Sequence, residues 1–296
     1  MIKPRISLLT AACCCAMPGL LQAQSLPAGA HYPAGAEGIK GASLPPPGWY
    51  VRDYNIGYYS SNLKPAGPSD FEMSAYINAP RVICMTEYKV LEANYGWDVL
   101  VPFGNQEMTA GGAHHGYFGV GDIQVEPLLL AWHVPQLDIG FGYAFWAPSG
   151  EFSVKNPMRL GKGFWGHMLT AGATYFFDQD KTWALSALNR YEINMEQKDT
   201  KITPGQAYTL EWGLSKSINQ AKTLDVGLVG YFQQQVTTDS GPTASSAQTS
   251  VVGVGPEVSI FFPEATFGVS LRYIREVAAS NRPEGNTFSL TLTKRF

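Results

Sequence analysis

Five histidines, a thin supply of cysteine and a scatter of carboxylates and guanidiniums are the side chains through which this 296-residue chain could do chemistry. Acyl transfer needs a serine activated by a histidine within hydrogen-bond reach, which on a strand means a His-x-Ser pair sharing one face. Two positions after His31, His114, His115, His133 and His167 stand Pro33, Gly116, Tyr117, Pro135 and Leu169, none of them a nucleophile. No catalytic residue is read from the sequence. His114 and His115 are adjacent in a glycine-rich stretch but have no third ligand nearby, so no metal site is assigned. Beyond residue 23 only Cys84 remains, which forms neither a disulfide nor a thiolate cluster. The stretches Gly-Val-Gly-Asp from 119 and Gly-Lys-Gly from 161 complete no phosphate-binding pattern, and no cofactor is expected.

The remaining ionic groups are sparse and ordered. Charged residues make up 15% of the chain, against roughly 25% in soluble domains. The net charge of -3 is not that of a nucleic-acid-binding protein. Asp53, Asp98, Asp122, Gln124, Glu126, Arg190, Glu192, Glu211, Asp225, Glu257 and Arg272 fall on the polar faces of alternating segments. In a confined lumen such opposite charges pair, so they are expected to form a structural network along its wall.

The segments that would position them alternate with period two. Phe288, Leu290, Leu292 and Phe296 share one parity, opposed by Thr287, Ser289, Thr291, Thr293 and Arg295. The same pattern recurs over 183–194, 208–215, 224–235 and 266–273, and more weakly over 49–60, 71–86, 93–103, 119–132, 137–147, 166–177 and 250–262. The count is twelve strands, an even number that suits a transmembrane barrel. No run of 18 apolar residues follows the N-terminal segment, so the chain does not cross a membrane by helices. An open edge in hydrocarbon leaves backbone groups unpaired at several kcal/mol each, so the sheet must close. The reading is therefore an all-β fold, a transmembrane antiparallel β-barrel.

Connection lengths give an independent check. The stretches 61–70, 104–118, 148–165, 197–206, 236–249 and 275–285 are long and are expected outside the cell, whereas 87–92, 133–136, 178–182, 219–222 and 263–264 are short periplasmic turns. Aromatic residues such as Trp49, Trp97, Trp132, Trp183 and Trp212 fall near strand ends, where girdles meet the headgroups.

At the N-terminus, Lys3 and Arg5 precede an apolar run, 6–21, and small Ala23, the build of a secretory signal cleaved after residue 23. A membrane helix is the weaker reading, because Pro18 and Gly19 interrupt the run. Residues 24–48, with Gly35, Gly38, Gly41 and the run Pro45-Pro46-Pro47-Gly48, have no strand pattern. They are either a loose periplasmic leader or a plug folded into the barrel, with Ile39, Lys40 and Leu44 as anchors. The barrel proper spans 49–296.

The segment Ala36-Glu37-Gly38-Ile39-Lys40-Gly41-Ala42-Ser43-Leu44-Pro45-Pro46-Pro47-Gly48 resembles the outer-membrane family of meta-pathway phenol-degradation proteins, the SphA-like transporters. The likeness continues through Val120-Gly121-Asp122-Ile123, Ala187-Leu188-Asn189-Arg190-Tyr191-Glu192, Gly227-Leu228-Val229-Gly230-Tyr231 and Leu292-Thr293-Lys294-Arg295-Phe296. The resemblance implies passive uptake of hydrophobic or aromatic small molecules across the outer membrane, with membrane lipid as the surroundings. It carries over no catalytic residue. On this reading Phe152, Met158, Phe164, Trp165 and His167 are the candidate substrate-binding residues at the outer loops, and Pro102, Pro127 and Pro148 mark kinks where the wall could open sideways. The final strand ending at Phe296 resembles the signal read by the barrel-assembly machinery. The alternative is a structural or interaction barrel with a closed lumen and partner-binding loops.

Overall fold

The computed structural model describes residues 29–296, so the expected signal at 1–23 lies outside the described residues. Its strands, in chain order, are β1 (Gly48–Ser60), β2 (Leu63–Lys64), β3 (Glu72–Val90), β4 (Ala93–Leu100), β5 (Phe103–Ala110), β6 (Ala113–Val120), β7 (Ile123–Val134) and β8 (Leu137–Ala147). They continue with β9 (Gly166–Phe176), β10 (Trp183–Asn194), β11 (Ala207–Ser217), β12 (Leu224–Gln235), β13 (Ser250–Phe262), β14 (Phe267–Ser280), β15 (Arg282–Pro283) and β16 (Asn286–Arg295). Among the described residues there is no helix.

Twelve strands, all but β2, β5, β6 and β15, pair antiparallel in chain order, and β1 closes the cylinder by pairing with β3 on one side and β16 on the other. The closed all-β barrel expected from the alternation is thus the observed fold. Its polarity is inverted relative to a soluble protein. Leu185, Leu228, Val258, Leu271 and Phe288 are exposed on the outer surface, whereas Ser186, Arg190, Glu211, Glu257 and Arg272 are buried inside. That inversion is stable where hydrocarbon, not water, covers the outside.

One expected loop is a hairpin. The stretch 104–118, expected as a long outer connection, is paired strand: β5 and β6 pair over its length. β5 continues the line of β4 along a single partner: β3 pairs with β4 from Arg81 onward and with β5 over Glu72 to Asn78. Gly104 allows this close approach, since a Cβ there would collide with the Tyr76 carbonyl. The hairpin turns at Gly111 and Gly112, whose positive φ values of 60° and 79° suit a tight primed turn. The Asp70 carboxylate accepts both turn amides, at 2.8 and 2.7 Å. Between β4 and β5, at Val101 and Pro102, and between β6 and β7, at Gly121 and Asp122, the two strands break, linked by a bond from Gly121 N to Pro102 O of 2.8 Å. A second difference lies at 87–92, where β3 runs on to Val90 and only Leu91 and Glu92 turn, with φ of 52° and 66°. The connection 275–285 is likewise mostly strand: β14 reaches Ser280 and β15 pairs with β2.

Residues 29–47 lie inside the cylinder. Asn194 Nδ2, at the long-loop end, donates to Gly29 O at 3.1 Å and Gly205 O at 2.8 Å. At the short-turn end the Tyr50 hydroxyl donates to Pro46 O at 2.7 Å. The segment therefore runs the height of the lumen before β1 begins.

Candidate functional site: a partly filled lumen

The inner segment has no strand partner, so its amides need acceptors from the wall. Three carboxylates supply them. Glu192 on β10 accepts from His31 N and Tyr32 N at 2.7 and 3.1 Å, Glu211 on β11 from Gly35 N and Glu37 N at 2.8 and 3.1 Å, and Glu257 on β13 from Ile39 N at 3.0 Å. Lys40 Nζ pairs with Asp225 on β12 at 2.7 Å, Ala42 N donates to Ser186 Oγ at 3.1 Å, and Arg272 on β14 donates to Ala36 O at 2.7 Å. Hydrogen bonds to charged groups contribute roughly 1.5–3 kcal/mol each, so this row fixes the segment against the β10–β14 side.

On the opposite side the central tie is an ionic crossing. Glu37 reaches across to Arg52 on β1 at 2.8 Å and to Arg81 on β3 at 3.7 Å, and accepts from the Tyr54 hydroxyl at 2.6 Å. Arg81 is also paired with Asp98 and, at 2.8 Å, with Glu126. Around this crossing lies a cavity of about 220 Å³, bounded by the inner segment and mainly by β1, β3, β7 and β8, with Arg190, Tyr231, Glu276 and Arg282 also on its wall. Ile56, Ala75, Ile77, Ala79, Ile83, Leu129 and Phe141 make much of its lining. It extends from Trp146 and Leu160 near the long-loop end to Leu44 and Pro45 near the short-turn end.

The long-loop mouth is narrowed by the connection 148–165, and Asp122 at the break before β7 organises it. Its carboxylate accepts Gly150 N at 2.9 Å and Lys162 N at 2.8 Å and lies 3.3 Å from His31 Nε2. Lys162 Nζ donates to Ala30 O, tying the connection to the inner segment. The His31 ring stacks on Trp146 at 5.4 Å and meets Phe164 edge-on at 4.7 Å. Burial pulls the His31 pKa down to about 4 and that of Lys162 to about 8, since both lose water that would solvate the cation. Above them a depression of about 110 Å³ is lined by Phe152, Phe164, Arg159 and Pro204.

Asp98, Asp122, Gln124, Glu126, Arg190, Glu192, Glu211, Asp225, Glu257 and Arg272 all face inward, and most are paired or bonded to the inner segment. Asp53 does not. Arg52 and Tyr54 take the inward parity on β1, which turns Asp53 to the outer face, where Asn55 and Asn78 donate to it at 3.0 and 2.9 Å. Among the expected capture residues, Phe152 and Phe164 line the mouth. Met158 is fully buried against Phe71, Met73 and Met108, a packing position out of a solute's reach. Trp165 and His167 sit on the outer face, Trp165 beside Phe145 with ring centroids 6.0 Å apart and His167 bonded to the Tyr143 hydroxyl at 2.8 Å. The residues missed from sequence are Glu37, Arg52, Arg81, Lys162, Glu276 and Arg282. With Asp53 read as inward the first strand is one residue out of phase; the correct phase turns Arg52 inward, and Arg81 shares the inward parity of Ala75, Ala79 and Ile83 on β3.

No curated protein sequence matches the chain. In fold it is similar to an outer membrane channel from Pseudomonas putida F1, with a TM-score of 0.76 at 15% identity over 86% of this chain and 97% of that one. It is also similar, with a TM-score of 0.54 at 9% identity, to the beta domain of the Bordetella autotransporter BrkA, over 85% of this chain and 100% of that one. These likenesses concern the barrel alone. The sequence itself matches a family model over residues 53–292, and the chain belongs to the MetA-pathway of phenol degradation family.

Proposed function

We propose that the protein is an outer-membrane channel for passive uptake of hydrophobic or aromatic small molecules. The observation that carries the reading is the apolar cavity beside the inner segment, in a barrel of channel-like fold. Twelve strands enclose more room than side chains alone fill and less than a wide aqueous pore. The inner segment is bonded to the β10–β14 side and leaves a narrow, largely apolar route, mainly along β1, β3, β7 and β8.

In this reading the long loops face the outside and the short turns the periplasm, with the N-terminal signal removed on export. A solute is gathered at the mouth by Phe152 and Phe164, passes Trp146 into the cavity and moves down along Ile77, Ala79 and Leu129. It leaves toward Leu44 and Pro45, or sideways near the strand breaks at Pro102 and Gly121. The last strand, ending at exposed Phe296, serves the assembly machinery. A deletion strain supplied with phenols, alkanes or long-chain lipids at limiting concentration is expected to grow more slowly than its parent on at least one of them. Matched growth on all three classes would sink the uptake reading.

A further inference from the structure

The Glu37 crossing is not a tight pair. Its Oε2 lies 2.8 Å from Arg52 Nη2 yet makes no aligned hydrogen bond, so the planar fork of Arg52 is not engaged as a carboxylate can engage it. The two guanidiniums are also unequally balanced. Arg81 has Asp98 and Glu126 besides Glu37, whereas Glu37 is the one carboxylate paired with Arg52 among the described residues. With 30% of its side chain exposed, Arg52 is also the most accessible of the ion-paired charges that line the cavity. A solute coming down the apolar route meets this cation, the Tyr54 hydroxyl and Arg81 together. Withdrawing Glu37 without replacement strands the Arg52 charge, so the inner segment moves most easily when another anion takes its place.

We propose that Arg52, Tyr54 and Arg81 form a carboxylate-binding site that Glu37 occupies at rest, and that an amphipathic monocarboxylate with a small apolar body displaces Glu37 and widens the route. The proposal rests on the uptake reading and names its substrate class: an acid whose carboxylate forks onto Arg52 while its body lies against Ile56, Ala75 and Ile77. A neutral alcohol of the same size fits the apolar lining but cannot replace the charge of Glu37.

The test is single-channel recording on the protein purified from membranes, with benzoate and benzyl alcohol as probes. Benzoate is expected to raise the open conductance at concentrations at least tenfold below those at which benzyl alcohol acts. R52Q, checked for folding by its heat-dependent gel shift, is expected to lose that difference. E37Q is expected to conduct more than the parent without benzoate and to shift the reversal potential in a salt gradient toward anions. Equal potency of the two probes, no response to either, or an E37Q channel as closed and as selective as the parent overturns the proposal. The uptake reading fails separately, through growth of the deletion strain, because the conductance response to benzoate does not depend on which solutes the cell imports.

Discussion

Gly38 lies against the Glu257 carboxylate with no space between them for a methyl group. A Cβ built on Gly38 collides with Glu257 Oε2 and Arg272 Nη1, two atoms that already form a buried ion pair at 3.3 Å. The inner segment therefore depends on the missing side chain to sit within hydrogen-bond reach of the wall.

Gly38→Ala is expected to push the segment off β13 and to cost the bond from Ile39 N to Glu257. Amide exchange measured by mass spectrometry should then speed up at least tenfold over residues 35–42, while β10 and β11 exchange as before. Unchanged protection over 35–42 would mean that the segment is held by something other than this row of carboxylates.

Asp122 joins three separate pieces of chain, since it accepts from Gly150 and Lys162 and touches His31. Asp122→Ala removes two bonds to a charged acceptor, so the mouth is expected to lose roughly 3–6 kcal/mol of local stability on the basis of roughly 1.5–3 kcal/mol per such bond. Limited proteolysis should cut 148–165 in the variant and leave the parent intact. Equal resistance of the two would contradict the assignment of Asp122 as the clasp.

His31 gives the mouth a pH dependence of known sign. Its folded pKa of about 4 lies below its ordinary value of 6.5, so the released segment binds more protons between those limits. Docking is strongest above pH 6.5 and weakens as pH falls toward 4, by up to about 3 kcal/mol at 1.36 kcal/mol per unit. Asp122 and Glu192 face the ring and Lys162 stands close by. Lys162, with its pKa lowered to about 8 from 10.5, favours docking further as pH rises through 8 toward 10.5. Protection of residues 30–36 should therefore fall between pH 6.5 and pH 4, and His31→Phe should remove most of that acid sensitivity. A flat profile in the parent would refute it.

Two aspartates on opposite faces of the wall should respond oppositely to mutation. Asp98 is fully buried against Arg81, and Asp98→Ala leaves that cation short of a partner, at a cost on the order of 3–5 kcal/mol. Asp53 faces outward, and Asp53→Asn removes a charge from an apolar surface, so its effect should stay within about 1 kcal/mol. Urea unfolding in lipid vesicles separates the two. Comparable losses would mean that the assigned facing of β1 is wrong.

The contrast between these residues also marks how far the sequence could be read. Alternation is strict where a strand has lipid on one side and a polar lumen on the other, so β10, β11, β14 and β16 were legible with their facing. It fails on β1, because Asp53, Asn55 and Asn78 bond one another on the outer face and read as lumen polarity. The β5–β6 hairpin was hidden because Gly104, Gly111, Gly112, Gly116 and Gly119 read as a loop, although Gly104 and the two turn glycines each serve close approach or a positive φ within paired backbone. The site was half visible. Its acidic wall followed from strand parity, but the course of residues 29–47 is set by long-range bonds to Glu192, Glu211 and Glu257, which no local pattern announces.

If solute passes through the cavity beside the inner segment, as proposed, filling that cavity stops uptake. Ala79 is buried and lines the route, so Ala79→Trp should block it without touching the carboxylate row that holds the segment. Uptake of a radiolabelled aromatic compound would be measured in cells producing the parent, the A79W protein or no channel, with correct folding checked by the heat-dependent gel shift. Uptake through A79W is expected to fall to the level of cells without the channel. Uptake through folded A79W at the parental rate would contradict it.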